Sequence, residues 1–324
     1  MDARIFEDCY KHYSSDWELG ENWDSLAEKH DYSNGEKLRW AFKAERIRRG
    51  IIGKNPQEEK KLSIVRKVSD KPRVAVLDIE TLPMVCFTWG MYDQNIGTEQ
   101  VLADTCMLSW AGKFLNESEV YSDILTPKEA IGRNAKRILQ SCWDFLSQCD
   151  VLIGHNFCGF DNKTINTGFL KYGLPPLKFI IVDTYLVAKQ NFRFSSNKMK
   201  YINDQLEIRN KIDNDGFPLW RKCHLGDPVA LKQMLEYNVG DVPATEELYY
   251  KVRPYVRNFN VALYNEIMEY QCPVCGSQDL STEGHYYTPA GKWESVRCNE
   301  CKCIARKKTN LLIKGKNKKL LINS

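Results

Sequence analysis

The chain lacks what would place it in a membrane or on a secretory route. No apolar run approaches the length of a membrane span. The opening residues, Met1-Asp2-Ala3-Arg4-Ile5-Phe6-Glu7-Asp8, carry acids and no long apolar stretch, unlike a secretory leader. A cytoplasmic protein that does not engage a membrane is therefore expected. A strong net charge is missing too. The formal value is only +4 over 324 residues, so no overall field commits the chain to one kind of partner. Twelve cysteines without a leader are not expected to form a disulfide framework. Seven are scattered singly and read as reduced thiols, and five crowd the C-terminal region.

What is present is ordinary in bulk and uneven in detail. Hydrophobic residues make up 43% and charged residues 27%, the balance of a globular chain able to bury a large core. The basic residues cluster. Lys37, Arg39, Lys43, Arg46, Arg48 and Arg49 share one early segment, and seven more lie between Arg306 and Lys319. Clusters of this kind suit a polyanionic partner, although charge runs are often solvated faces.

Residues 1–50 have helical periodicity. Ile5, Phe6, Cys9, Tyr10 and Tyr13 fall on one face, Asp24 to His30 makes a short helix, and Asp31 to Gly35 a turn with Ser33 or Asn34 as N-cap. A longer basic helix follows from Glu36 to Arg49, stopped by Gly50. The segment resembles a helix-turn-helix, which would direct Lys37, Arg39, Lys43 and Arg46 towards nucleic acid. Asp31 departs from that pattern, standing where glycine is usual. A small helical bundle with a charged outer face is the alternative. The polar stretch 51–72 reads as a linker, with a short strand over Leu62 to Val68.

From Arg73 the pattern changes to alternating strands and helices. Strands are expected at Val74 to Glu80, Met84 to Trp89, Cys106 to Phe114, Glu119 to Ile124, Val151 to Ile153 and Phe179 to Val182. Helices are expected at Asn134 to Cys149 and Asp161 to Tyr172, then through most of the chain to Val256. Such an order predicts an α/β domain with a mixed sheet flanked by helices.

Three places in this domain end apolar elements in acids. In Val74-Ala75-Val76-Leu77-Asp78-Ile79-Glu80-Thr81, strand alternation puts Asp78 and Glu80 on the same side. Two neighbouring carboxylates at the end of a buried strand are costly unless a positive charge sits between them, and Mg²⁺ and Mn²⁺ prefer carboxylate ligands. The loop Gly154 to Gly159 follows a second buried strand, and Asp161 opens a helix, where it could simply be an N-cap. Tyr237 and Asp241 lie one helical turn apart, near Gly240 and Pro243, which both disfavour an unbroken helix.

Asp78-x-Glu80, then Asn156-x-x-x-Phe160-Asp161, then Tyr237-x-x-x-Asp241 resemble, in that order, the DEDD superfamily of 3′–5′ exonucleases with its RNase H-like fold. Tyr237, with Glu236 where the other subclass carries histidine, resembles the DEDDy form found in proofreading domains of family B DNA polymerases. With no polymerase domain following, a stand-alone nuclease is implied. By this resemblance two Mg²⁺ or Mn²⁺ ions are held by Asp78, Glu80, Asp161 and Asp241. Asp78, Glu80 and Asp241 would hold the water-activating metal, Asp161 would act on the second, and Tyr237 would orient the attacking water. Asn156 and Phe160 would meet the terminal nucleotide, and Lys198 or Lys200 the scissile phosphate. Asp183 and His155 are assigned structural roles. Phe192, Phe194 and Trp220 are candidate stacking residues whose alternative is the core.

Cys272-Pro273-Val274-Cys275 and Cys298-Asn299-Glu300-Cys301 are separated by 22 residues, with strand-like segments at His285 to Thr288 and Trp293 to Arg297 between them. Paired knuckles at this spacing resemble a zinc ribbon with one structural Zn²⁺, in which Cys303 could replace Cys301.

The expected organisation is a helix-turn-helix-like module at 1–50, linker at 51–72, exonuclease domain at 73–257, connecting helix at 258–269, ribbon at 270–305 and basic tail at 306–324. The expected activity is two-metal 3′–5′ hydrolysis of DNA, single strands or 3′ ends, to nucleoside monophosphates. An RNA exoribonuclease with the same site is one alternative, because sequence does not read the 2′-hydroxyl. A catalytically inactive nucleic-acid-binding regulator is the alternative of another class.

Overall fold

A strand buried on both faces needs apolar residues throughout, and Val74–Leu82 (β1) has them except at Asp78, Glu80 and Thr81. In the computed structural model, which describes residues 2–14, 23–48, 71–209, 216–313 and 315–322, this strand is the centre of a five-stranded sheet. The strand expected at Leu62 to Val68, and the linker as far as residue 70, lie outside the described residues.

The sheet order is β5-β4-β1-β6-β7, where β4 is Cys106–Phe114, β5 Tyr121–Ile124, β6 Val151–Gly154 and β7 Ile180–Asp183. β1, β4 and β5 run antiparallel, whereas β6 and β7 join parallel to β1. The two halves follow from their connections. A short link joins the antiparallel neighbours β4 and β5, the longer segment between β1 and β4 folds into a small strand pair of its own, and the parallel strands are reached through crossover helices. Those helices, α5 (Lys136–Leu146) and α6 (Asp161–Tyr172), cover one face. Ala75, Leu77 and Ile79 pack there with Ile138, Leu139, Cys142, Phe145 and Leu146. These five α5 residues are the ones its periodicity marks as apolar, each contributing about 1.5–3 kcal/mol by burial. Close approach depends on Gly112, where a Cβ would stand 2.7 Å from the Phe145 ring. Before α5 lies a capped turn of helix, α4 (Pro127–Gly132), that periodicity did not reveal.

The opposite face carries Val76, Ala111, Val151, Ile153 and Val182 against Val242 and Tyr249. The latter two belong to α10 (Pro228–Val252), a 25-residue helix reached through α7 (Thr184–Asn191), α8 (Met199–Gln205) and α9 (Phe217–His224). Gly240 and Pro243, which disfavour an unbroken helix, are both accommodated: α10 runs through them, with Pro243 inside it. A proline in a helix interior costs about 3 kcal/mol. Burial of Val242, Ala244, Leu248 and Val252 around it outweighs that.

Two other expectations are corrected. The segment Met84 to Trp89 is strand only at Val85–Cys86 (β2), which pairs with Val101–Ala103 (β3). Its remainder is an open loop in which Trp89 is 98% exposed. The connecting helix at 258–269 is absent apart from a 3₁₀ turn at Val261–Tyr264. Asparagines compete with the helix there. Asn260 Oδ1 accepts from the Ala262 N–H and Asn265 Oδ1 from the Ile267 N–H, each at 3.0 Å. The Val261 N–H donates to the Pro273 carbonyl at 2.8 Å.

The chain divides into two compact units, 1–68 and 69–324. In the first, α1 (Ala3–Ser14), α2 (Trp23–Lys29) and α3 (Gly35–Arg48) bury Phe6, Cys9, Leu26, Ala27, Leu38 and Phe42 together. Asn34 caps α3, its Oδ1 accepting from the Lys37 N–H at 2.9 Å. Asp31 adopts the left-handed φ of +56° that glycine usually supplies, a conformation asparagine and aspartate tolerate best among the others. Lys37 and Arg39 are exposed on α3, while the Lys43 and Arg46 side chains lie outside the described residues. Among the described residues no helix is long and apolar enough to cross a membrane.

Candidate functional site

Asp78 and Glu80 project from β1 towards α10, on the face of Val76, as strand alternation requires. Their partners on β4 are small, Ala111 opposite Asp78 and Ser109 opposite Glu80. The pairing register shifts between Glu80 and Thr81, a bulge that ends the ladder beside the acids. From α10, Asp241 reaches the same place. One carboxylate oxygen from each of Asp78, Glu80 and Asp241 lies within 4.8 Å of the others. Asp241 is fully buried, and the other two are partly exposed.

Asp161, on the opening turn of α6, does not join that tight set. It is not a side-chain N-cap either, since α6 has none. Its Oδ1 accepts the Ile79 N–H at 3.2 Å, which fastens α6 to the acid-bearing strand. Burial, and then the charge of Asp78, push the Asp161 carboxyl well above the usual carboxylate range. Carboxyl groups thus converge from β1 and α10, with that of α6 close enough to feel the charge of Asp78. Carboxylate oxygens are hard donors, so this set fits a cation such as Mg²⁺ or Mn²⁺.

The residue that sequence reasoning missed is Asn238. It is fully buried, and its Nδ2 donates to Asp78 Oδ2 at 2.8 Å while its Oδ1 accepts from Ser109 Oγ at 2.9 Å. A chain of bonds from β4 through α10 therefore fixes the Asp78 carboxylate. The available signal was its place three residues before Asp241, on the same helical face. Tyr237, one turn before Asp241, is half-buried with its ring 6.2 Å from Trp220. Trp220 is thereby a packing residue. Phe192 and Phe194 are too, with their tilted rings 5.7 Å apart and Phe192 edge-on to Tyr255 at 4.7 Å. Just beyond β1, Phe87, Trp89 and Tyr92 are strongly exposed.

The loop after β6 is held by Asp183. Its carboxylate accepts the N–H groups of Asn156 (2.9 Å), Cys158 (3.0 Å), Tyr185 (3.0 Å) and Leu186 (3.4 Å). Asp183 therefore caps α7 and ties down the loop with the same group. Asp183→Ala should cost about 2–4 kcal/mol of stability, because a buried charged acceptor and a cap are lost together. Denaturant unfolding reads this directly, and a midpoint within error of the unmodified chain would refute it. Asn156, at φ +59°, and Phe160 both present their side chains to solvent on this loop. His155 is a tie: its ring bonds Thr184 Oγ1 and the Asn197 carbonyl, each at 2.9 Å. Lys198 and Lys200 follow at the start of α8, both exposed.

A second cluster is made of sulfur. Cys272, Cys275, Cys298 and Cys301 bring their Sγ atoms within 4.8 Å of one another, and no cysteine is in a disulfide. Cys272 to Cys301 is 3.4 Å and Cys275 to Cys298 is 3.5 Å. Tetrahedral zinc with bonds of about 2.3 Å would place sulfurs about 3.8 Å apart, so the set fits that ion. The two knuckles repeat one local geometry. Gly276 and Lys302 both have positive φ, at +79° and +66°, and donate to the carbonyls of Cys272 (2.9 Å) and Cys298 (3.0 Å). The scaffold is a three-stranded sheet of β8 (Leu280–Thr288), β9 (Gly291–Cys298) and β10 (Ile304–Arg306). Cys303 is buried beside the four and outside their set. The tail beyond it is partly engaged, with Lys307 paired to Glu294 at 2.9 Å.

Comparison with known proteins bears on the sheet domain. Residues 112–253 match the RNase H superfamily, in the family RNase_H_2. No curated protein matches the chain. Among solved structures, the family B DNA polymerase from the hyperthermophilic archaeon Pyrobaculum calidifontis aligns with a TM-score of 0.43 and 16% identity. The alignment covers 60% of this chain and 27% of the polymerase, so the chain spans about a quarter of that protein's length. Three antiparallel strands followed by two parallel ones make an RNase H-like sheet, of which residues 112–253 match the RNase H superfamily, and β1, which precedes the matched residues, brings Asp78 and Glu80 into the same sheet by pairing with β4 and β6.

Proposed function

We propose that the chain is a divalent-metal-dependent 3′–5′ exonuclease that removes nucleoside monophosphates from DNA. The observation that carries the reading is the convergence of Asp78, Glu80 and Asp241 on an RNase H superfamily sheet. Phosphodiester hydrolysis builds negative charge on the attacking water, the phosphate and the leaving 3′ oxygen. Divalent cations, when bound, stabilise that charge and activate water. Asp78, Glu80 and Asp241 would hold one cation, with Asp161 serving a second. Tyr237 orients the attacking water as a hydrogen-bonding partner, since a phenol of pKa about 10 is a poor base at neutral pH. Asn156 and Phe160 meet the terminal nucleotide from the loop that Asp183 fixes, and Lys198 or Lys200 approaches the phosphate.

DNA is favoured by the N-terminal unit, where a helix, a turn with Asp31 in the left-handed region, and the exposed Lys37 and Arg39 fit a helix-turn-helix. The Cys272, Cys275, Cys298 and Cys301 module is a zinc ribbon in this reading.

The test uses purified full-length protein with 3′-labelled and 5′-labelled single-stranded DNA, duplex DNA and RNA, supplied with Mg²⁺ or Mn²⁺. Labelled mononucleotides should leave at once from 3′-labelled DNA and appear last from the 5′ label. Internal fragments at early times would sink the exonuclease reading, and faster release from RNA would transfer it to RNA. Asn238→Ala should lower kcat by about 10–100-fold, as loss of a partner that orients a metal ligand does, with KM little changed. An unaltered kcat would remove Asn238 from any positioning role.

A further inference from the structure

The sheet of the cysteine module has one face turned away from the sulfurs. Strand alternation divides β9 into two sides. Val296 and Cys298 belong to the sulfur side, and Trp293, Ser295 and Arg297 to the other. On that far side Tyr286 of β8 stands directly opposite Trp293, and Arg306 of β10 directly opposite Ser295. Residues directly opposite share a face, so Tyr286, Trp293 and Arg306 form one patch across the three strands.

We propose that this patch binds single-stranded nucleic acid, with bases on its rings and phosphates on its cations. The proposal does not rest on the nuclease reading, since a strand would be held there whether or not the acids cut it. Its first support is the rings. The Tyr286 and Trp293 centroids are 6.3 Å apart, and Tyr286 is 47% exposed on an edge strand. Trp293 is set in place by its own turn. A Cβ on Gly291 would stand 2.1 Å from the Trp293 ring, so the ring lies where only glycine leaves room. A ring already placed loses little side-chain freedom on binding, and aromatic stacking accepts any base. Ile304, 54% exposed opposite Arg297, extends the apolar surface.

The second support is charge. The Arg306 guanidinium lies 4.3 Å from the Trp293 ring centroid and 5.5 Å from that of Tyr286. A guanidinium held against rings keeps its N–H edge for a phosphate. Arg306 is exposed and pairs with no acid among the described residues. The acids of β8 and β9 are already answered, Glu283 by Arg297 and Glu294 by Lys307. From Tyr270 to the last residue, ten lysines and arginines stand against four acids. Zn²⁺ held by four thiolates takes two charges from that balance and leaves it positive. Lys308, Lys316 and Lys319 continue the exposed cations beyond Arg306. An apolar protein surface would use the rings and not the charge, and an acidic peptide the charge and not the rings. A single strand offers a π-face and a phosphate at every nucleotide, and so uses both.

The test is fluorescence anisotropy with labelled strands of about 15 nucleotides, the scale of a single-strand site. It uses the full-length chain supplied with Zn²⁺ and carrying Asp78→Asn and Asp241→Asn, without Mg²⁺ or Mn²⁺, so that the strand is neither cut nor held by metal at the acids. Tyr286→Leu should weaken oligo(dT) by about 5- to 100-fold, the loss of one stacked base, and Tyr286→Phe should restore it. Arg306→Gln should weaken it several-fold and lower the slope of log Kd against log salt by about one. Zinc content and melting temperature should match the parent in all three. Duplex DNA, whose bases are already stacked, should bind Tyr286→Leu and the parent alike. The tighter of oligo(dT) and oligo(rU) identifies the strand as DNA or RNA. Oligo(dT) affinity within about twofold of the parent in both Tyr286→Leu and Arg306→Gln overturns the proposal. So does a loss in Tyr286→Leu that Tyr286→Phe does not restore, or competition by polyglutamate as strong as by oligo(dT), which would make the patch an acidic-peptide surface.

Discussion

Asp78→Ala and Asp241→Asn should each reduce hydrolysis by about 10³-fold or more while leaving the protein folded. The magnitude follows from what the carboxylates would hold, since a bound cation contributes several kcal/mol to a developing phosphate charge and each 1.4 kcal/mol is tenfold in rate. The stability effect should run the other way. Three carboxylates lie within 4.8 Å, with Asp161 close enough to feel Asp78, so removing one charge relieves repulsion in the metal-free protein. For Asp241→Asn, which leaves the Asn238–Asp78 bond in place, the melting temperature without Mg²⁺ should therefore hold or rise, a pattern that a merely structural acid would not give. Asparagine is the better replacement at position 241, because that side chain is fully buried and alanine would leave a cavity. Undiminished cleavage by both variants would show that the acids do not carry the reaction.

Removing zinc should have the second large effect, confined to one part of the chain. Metal analysis should find about one zinc per chain, since four thiolates complete a tetrahedral site. Structural zinc in small modules contributes on the order of 10 kcal/mol or more, and few apolar side chains are buried around these sulfurs, so the module should not persist without the ion. Cys298→Ser should lose zinc and become cleavable by protease between residues 270 and 306, with the sheet domain still melting cooperatively. Cys303→Ser is the discriminating control. Cys303 is buried next to the sulfur set, where its Sγ donates to the Ile304 carbonyl at 3.6 Å, yet it lies outside the four-sulfur group. It should keep its zinc. Loss of the metal from Cys303→Ser together with its retention in Cys301→Ser would reassign the fourth ligand.

Much of this fold was legible because its signals are local. Alternation along β1 placed Asp78 and Glu80 on one face without reference to any other residue. The five apolar positions of α5 are written into a single helical period, and the bounds Asp161–Tyr172 of α6 follow from one loop and one apolar face. The paired knuckles needed only their spacing. The errors arose where local signals conflict with packing. Met84 to Trp89 is rich in strand-forming residues, but most of it lacks a neighbouring strand, leaving Phe87 and Trp89 in solvent. At 258–269 the side-chain amides of Asn260 and Asn265 compete for the backbone that a helix would need.

The sequence by itself determined the order and type of the sheet elements, the shared face of the two acids on β1 and the two cysteine knuckles. These are set by periodicity and spacing within a few residues. Only the tertiary structure decided that Asp241 arrives beside Asp78, that Asn238 bridges Ser109 and Asp78 across 129 and 160 residues of chain, and that Cys301 rather than Cys303 completes the sulfur cluster. It also decided that α10 continues through Gly240 and Pro243. In each case the deciding term is a contact between distant segments, or the burial such contacts create, and neither has a period along the chain.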